Sequence, residues 1–124
     1  MISRITTRQI FQQLQQDGTY VRSGFLWCSM IIDQNLTQPA IAYALGRQVG
    51  GAVERNLLRR RLREIVKTKS IMPGWYLIGA YSGAKKLKFE DLGLNVDSLL
   101  AKCAQKVAKT AKSAQIDQKL FEIS

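Results

Sequence analysis

Residues 49 to 69 read VGGAVERNLLRRRLREIVKTK, and seven of the fifteen side chains from Arg55 to Lys69 are Arg or Lys. A helix through this segment brings like charges together. Arg55/Arg59, Arg59/Arg63 and Arg63/Lys67 are i, i+4 pairs, each costing roughly 0.2 to 0.5 kcal/mol when exposed, with Glu64 close by to offset them. Projected at about 100° per residue, Leu58, Leu62, Ile65 and Val66 share one sector, while Asn56, Arg59, Arg60, Arg63 and Lys67 share the next. Arg55 lies near their border, and Leu57, Arg61 and Glu64 lie on the far side. The spacing predicts a helix with one packed face and a cationic face beside it. A bound polyanion would turn the repulsion into attraction.

The rest of the chain points to the same class of partner. Its 19 basic and 9 acidic residues give a net charge of +10 and a pI near 10.0, a field that favours polyanions, nucleic acid before an anionic membrane surface. A merely solvated face usually mixes signs, and this one scarcely does. Arginine outnumbers lysine in the helix, and its planar fork suits bidentate phosphate contact. No stretch approaches the ~18 apolar residues of a membrane span, and the N-terminus lacks the apolar core of a signal peptide, so a cytoplasmic protein without a membrane partner is expected. A chain of 124 residues, 46% apolar and 23% charged, supports one hydrophobic core. Cys28 and Cys103 have no cysteine nearby in sequence and there is no histidine, so both are expected as reduced core residues.

Along the chain, Ile10, Phe11 and Leu14 recur at helical spacing between Thr6 or Thr7 and Asp17, with Gly18 as a stop signal. TYVRSGFLWCSMIID reads as a short strand, a bend at Ser23-Gly24 and a longer strand, and Asp33 to Pro39 as a polar turn. AIAYALGR, residues 40 to 47, has strand length, Gly50-Gly51 precedes the basic helix, and Pro73-Gly74 marks a turn before the buried strand WYLIGAY at 75 to 81. SGAKKLKF reads as a polar loop. From about Asn95 to Ala114, Val96, Leu99, Leu100, Cys103, Val107 and Ala111 form an apolar stripe, while Lys102, Lys106, Lys109 and Lys112 point elsewhere. The expected order is α-β-β-β-α-β-α in one domain, residues 1–114, followed by a weakly patterned tail, residues 115–124.

The stretch IAYALGRQVGGAVERNLLRRRLRE, residues 41 to 64, resembles the protein component of bacterial ribonuclease P, whose hallmark is a glycine, an Ala-Val pair and an Arg-Asn followed by basic residues on one helix. Arg47, Gly50, Ala52, Val53, Arg55, Asn56, Arg59, Arg60 and Arg63 match that pattern. Phe11 and Gly18 match the family's first helix, and Ala84, Phe89 and Leu92 its stretch after the last strand, so the resemblance spans most of residues 4 to 109. Leu57, Gln48, Gly46 and Tyr81 depart from it. No RNA contact is therefore carried over to positions 48, 57 and 81, while Arg61 is an extra basic residue. The resemblance implies an α/β (α+β) sandwich, ribosomal-protein-S5-domain-2-like, with a central mostly antiparallel sheet and a left-handed βαβ crossover, an exception to the usual hand. It implies the protein subunit of a ribonucleoprotein endonuclease that removes the 5′ leader of precursor tRNA, with ribonuclease P catalytic RNA and precursor tRNA as partners. Arg47, Arg55, Asn56, Arg59, Arg60, Arg63 and Lys67 are then the expected RNA-binding residues.

The residues themselves speak against chemistry by the protein. A metal-free nuclease typically wants a histidine near neutral pKa, and metal-dependent phosphodiester hydrolysis wants clustered carboxylates. Here the acids are scattered and only Glu90-Asp91 are adjacent, which reads as a surface or helix-capping feature. In the family the RNA subunit holds the catalytic Mg²⁺, so no catalytic or metal-binding residue is expected in this chain. The family also lays single-stranded leader along a cleft between the first helix and the sheet, where aromatic platforms beside a positive rim suit it. Candidates are Phe11, Tyr20, Arg22 and Trp27, with core packing an equal reading for Phe11 and Trp27. A ribosomal-type RNA-binding protein would share the charge and size but not the glycine, Ala-Val and Arg-Asn register. A DNA-binding helix is disfavoured because the basic helix lies between strands with no helix-turn-helix partner.

Overall fold

The structure is a computed structural model that describes residues 2–5 and 7–123, with the backbone alone for Ser3 and residues 109–123. Thr6, an alternative helix start, and the side chains of Lys109, Ala111 and Lys112 lie outside the described residues. The elements are β1 (Ser3–Arg4), α1 (Arg8–Asp17), β2 (Thr19–Ser23), β3 (Leu26–Ile32), β4 (Ala40–Ala44), α2 (Ala52–Val66), β5 (Gly74–Ala80) and α3 (Phe89–Ile123), with 3-10 turns at Arg47–Val49 and Ser82–Lys86.

The sheet runs β1-β4-β5-β3-β2. Its antiparallel pairs, β2/β3 and β3/β5, ladder over five and seven residue pairs, and its parallel pairs, β1/β4 and β4/β5, over two and five. Adjacent parallel strands require a crossover, and α2 occupies the one between β4 and β5. At the β2–β3 hairpin, Gly24 has φ +59 while Phe25 stays at negative φ. Positive φ at the first of two loop residues is the signature of a type II′ turn, whose twist matches that of the strands. The Asn95 side chain accepts from the Phe25 N–H at 3.0 Å, tying this hairpin to α3.

The pleat sorts side chains onto two faces. On one face Val21, Cys28, Met30, Ile41, Tyr76 and Ile78 pack against Leu58, Leu62, Ile65 and Val66 of α2 and Leu92, Val96, Leu99 and Cys103 of α3. On the other, Ala40 and Leu77 pack with Ile5 and with Leu14 of α1, flanked by half-buried Phe11, Trp27 and Trp75. Ser29 donates to the Leu14 carbonyl and fixes the C-terminal end of α1 on that face.

Two elements differ from expectation. β1 pairs with β4, far along the chain, and two residues carry no local signal. α3 starts at Phe89, ahead of Asn95, because Glu90 and Asp91 stand in its first turn, where the helix dipole favours carboxylates. Leu92 is already buried there. Within its bounds fall most of the residues read as a tail.

Cys28 and Cys103 are both free and buried. The fold brings them together, so that the hydrogen bond the Cys28 thiol donates to Cys103, and then burial, push that thiol well up. Burial also pushes Tyr43 up to about 12 and raises Tyr76, whose hydroxyl donates to the Met72 carbonyl at 2.7 Å. The two phenols are neutral when folded and ionise more readily when unfolded, while the thiol pair shifts in opposite directions, Cys28 up and Cys103 down, so its contributions oppose each other. The phenols' contribution to stability is therefore intact below the ordinary phenol value, about 10, and is lost as pH rises through the folded values. The melting temperature is expected to hold to about pH 10 and then fall. Tyr43→Phe should flatten the fall between about pH 10 and 12, and an unchanged alkaline profile would contradict this assignment.

Candidate nucleic-acid interface

The start of α2 is set by Gly51, whose N–H donates to Glu54 Oε1 at 3.2 Å, while Glu54 Oε2 meets Lys85 Nζ at 3.2 Å. The bond from Gly51 and then Lys85 hold the Glu54 carboxyl below the usual range. One of the loop lysines thus braces the helix instead of standing free. Leu58, Leu62, Ile65 and Val66 are buried, as their helical sector predicted, so the cationic sector faces outward. Asn56, Arg60, Arg63 and Lys67 are exposed and Arg59 is half-buried. Arg59 donates to Asn56 Oδ1 at 2.8 Å, an i, i+3 contact that orients its fork. Lys67 pairs with Glu64 at 3.2 Å, and among the described residues no carboxylate pairs with Arg59, Arg60 or Arg63.

This surface divides into two hollows. Arg59, Arg63 and Lys67 join Arg4 of β1 around a groove of about 440 Å³ floored by Ile41, Ala42 and Tyr43. It carries four cations and no carboxylate. The Arg63 guanidinium lies 5.8 Å from the Tyr43 ring centre, which holds it toward the groove. Asn56 and Arg60 instead border a depression of about 430 Å³ with Val53 and Leu57. Val53 is 82% and Leu57 36% exposed, so Leu57, one of the departures from the family pattern, falls on an open surface. Arg47 is exposed on the 3-10 turn ahead of the helix; Arg55 is half-buried, its Nε buried without a hydrogen-bond partner. Neither lines either hollow.

The four leader candidates lie on the α1 face of the sheet. Val21 and Ser23 point into the larger core, so Tyr20 and Arg22 point to the opposite face, where Arg22 stands across from Trp27. Tyr20 and Trp27 stack with ring centres 5.9 Å apart and planes 27° from parallel. Trp27 pairs in turn with Gly79 of β5. A Cβ on Gly79 would run into the indole, so glycine there lets the ring lie down on the strand. Phe11 and Trp27 serve both readings, since each is half-buried in the smaller core while bordering this face. Tyr20, 52% exposed, is open.

Position 81, where the sequence offered no RNA contact, belongs to this surface. The Arg22 guanidinium sits 4.3 Å above the Tyr81 ring centre, and the Tyr81 and Tyr20 hydroxyls share a hydrogen bond, which raises the Tyr20 pKa. Its signal in the sequence is the two-residue period Trp75, Leu77, Gly79, Tyr81. For Arg4 and Tyr43 the sequence carries no comparable signal, because β1 brings Arg4 to the groove through a pairing distant in the chain.

The sequence profile of the Ribonuclease P family matches residues 2–104. The ribonuclease P protein component of Dehalococcoides mccartyi strain CBDB1 is 34% identical over 110 residues, 87% of this chain and 89% of that one. That of Symbiobacterium thermophilum is 30% identical over 99 residues, 77% and 86% of the two chains. The solved RNase P protein of Staphylococcus aureus superposes with a TM-score of 0.73 at 20% identity, over 81% of this chain and 94% of that one. The Thermotoga maritima protein does so with a TM-score of 0.72 at 18% identity, over 81% and 96%. The glycine, Ala-Val and Arg-Asn register, the crossover that carries it, and these likenesses place the chain in the ribonuclease P protein family.

Proposed function

We propose that the α2 cations hold the phosphate backbone of the ribonuclease P catalytic RNA, while the face between α1 and the sheet takes the single-stranded 5′ leader of precursor tRNA. The chain is a protein subunit of an endoribonuclease of tRNA maturation, so its residues act by binding and orienting. The observation that carries the reading is the groove lined by Arg4, Arg59, Arg63 and Lys67 with no carboxylate in its walls, Glu64 meeting Lys67 from outside it. Arginine forks meet phosphate oxygens in pairs and stay charged at any working pH. Arg60 and Asn56 extend the binding surface along the helix, and Arg47 and Arg55 flank its start. On the other face, Tyr20 and Trp27 offer stacked rings for unpaired bases, with Phe11 at the border and Arg22, steadied on Tyr81, for a phosphate.

The Mg²⁺ that supports hydrolysis belongs in this reading to the RNA subunit. Among the described residues no three His, Cys, Asp or Glu side chains come together to hold an ion. The protein works in the cytoplasm, alongside its RNA; among the described residues no helix is long and apolar enough to cross a membrane. The ribosomal-type alternative shares the charge but not the family register.

Replacing both Arg59 and Arg63 with Ala is expected to weaken binding of a bacterial ribonuclease P RNA. The slope of log affinity against log salt should become shallower by roughly 0.7 to 0.9 for each phosphate that the variant no longer neutralises. Unchanged affinity with unchanged slope in a filter-binding titration would overturn the reading.

Leu57 gives the opposite test. Because it is 36% exposed beside Asn56 and Arg60, Leu57→Arg should raise RNA affinity while the melting temperature stays within a degree or two. A loss on the order of 3 to 5 kcal/mol, the signature of a buried unpaired charge, would refute the placement of this surface. Unchanged affinity would refute its role in holding RNA.

A further inference from the structure

We infer that the leader path continues past the aromatic face, over the β2 edge, into a second cationic groove between β2 and α3 that holds phosphates of leader nucleotides distant from the cleavage point. The groove, about 310 Å³, is lined by Tyr20, Val21 and Arg22 of β2 and by Lys102, Gln105 and Lys106 of α3. This proposal rests on the leader reading of the α1 face.

Continuity is the first support. Tyr20 stacks on Trp27 on the α1 face and also lines the groove, so a strand lying on those rings meets the groove at its next step. Arg22 likewise belongs to both, its guanidinium over Tyr81 and its backbone at the groove. Position in the sheet is the second. The four-cation groove lies against β1 and β4, at the opposite end of the strand order from β2. With the catalytic RNA held at that end, leader nucleotides near the cleavage point enter from the β4 side, and distal ones arrive at β2.

Charge is the third support. Lys102 and Lys106 supply the groove's charge, with the Arg22 guanidinium turned to the other face, and no carboxylate lines it. Lys102 and Lys106 are four residues apart and therefore project from the same side of α3. Lys102 Nζ donates to the Arg22 carbonyl at 3.2 Å, which positions the ammonium at the sheet edge. One of its three donors is used there, and the others are available to a phosphate. Gln105 adds a neutral donor and acceptor between the two lysines. Lysines that hold backbone phosphates through single charges give binding that depends on leader length and salt, with little dependence on base identity.

The test uses holoenzyme reconstituted with a bacterial ribonuclease P RNA and two precursor tRNAs that differ only in leader length. Leaders of about 4 and about 16 nucleotides bracket the span of single-stranded sites on small domains. Wild type is expected to prefer the long leader. Replacing Lys102 and Lys106 together with Ala should reduce that preference by about three- to tenfold, and should make the salt slope for the long leader shallower by about 1.4. Replacing both with Arg should restore it. A preference unaltered by the Ala pair would overturn the proposal, leaving two solvated lysines. Equal weakening for both leaders would also overturn it, assigning the groove to the tRNA body or the catalytic RNA. Failure of the Arg pair to restore the preference would trace the loss to a disturbed fold and overturn it as well. Trp27→Leu, measured alongside with its melting temperature, reports on the aromatic face alone, because Trp27 does not line the groove. A response to it with no response to the lysine pair removes only the extension, whereas no response to it at either leader length removes the leader reading itself.

Discussion

The seam between α2 and the sheet decides where every cation on that helix points. Leu58, Leu62, Ile65 and Val66 are each nearly inaccessible to solvent, and burying side chains of this kind contributes about 1.5 to 3 kcal/mol apiece. The like-charge pairs on the neighbouring sector cost roughly 0.2 to 0.5 kcal/mol each. Burial wins by several-fold, so the helix holds its orientation before any RNA arrives. The repulsion stored on the outer side is small enough to keep and favourable to relieve. An anionic partner meets a preorganised row of forks, with little further ordering to lose on binding.

The parallel crossover gives this seam its reach. Since α2 connects β4 to β5, its cationic sector lies along β4 and borders the β1 edge, where Arg4 joins it. The same strands turn their other face to α1, with Ala40, Ala42 and Ala44 facing that side. Small residues on β4 and Gly79 on β5 keep the sheet surface low under Trp27. One sheet thus separates two surfaces of different character: a row of arginines on one face, and stacked rings on the other.

Much of this was legible because the chain carries strong local periods. The α2 stripe, the Ser23-Gly24 break and the Pro73-Gly74 turn each announce themselves within a few residues, and they fixed β2, β3, α2 and β5. β1 was hidden because two residues show no period and their partners, Ala40 and Ile41, are remote. The start of α3 was obscured by Gly93, which interrupts the stripe; it faces open space, so the helix tolerates it. Within the candidate site, Tyr20 and Arg22 followed from their place on a strand, whereas the two-residue period gives Tyr81 its face but not its partner. Its hydroxyl meets that of Tyr20 across 61 positions of sequence, a closeness that only sheet order creates. The Cys28–Cys103 contact was invisible for the same reason.

The most direct test of the account is a reconstitution at low Mg²⁺. Protein treated with micrococcal nuclease to remove contaminating RNA, with the nuclease then inactivated, is assayed on precursor tRNA alone and after addition of a bacterial ribonuclease P RNA. The account predicts no cleavage by the protein alone and accurate 5′ processing once the RNA is added, at Mg²⁺ concentrations where that RNA alone is inactive. Cleavage by the protein alone, or an RNA whose activity the protein leaves unchanged, would contradict it.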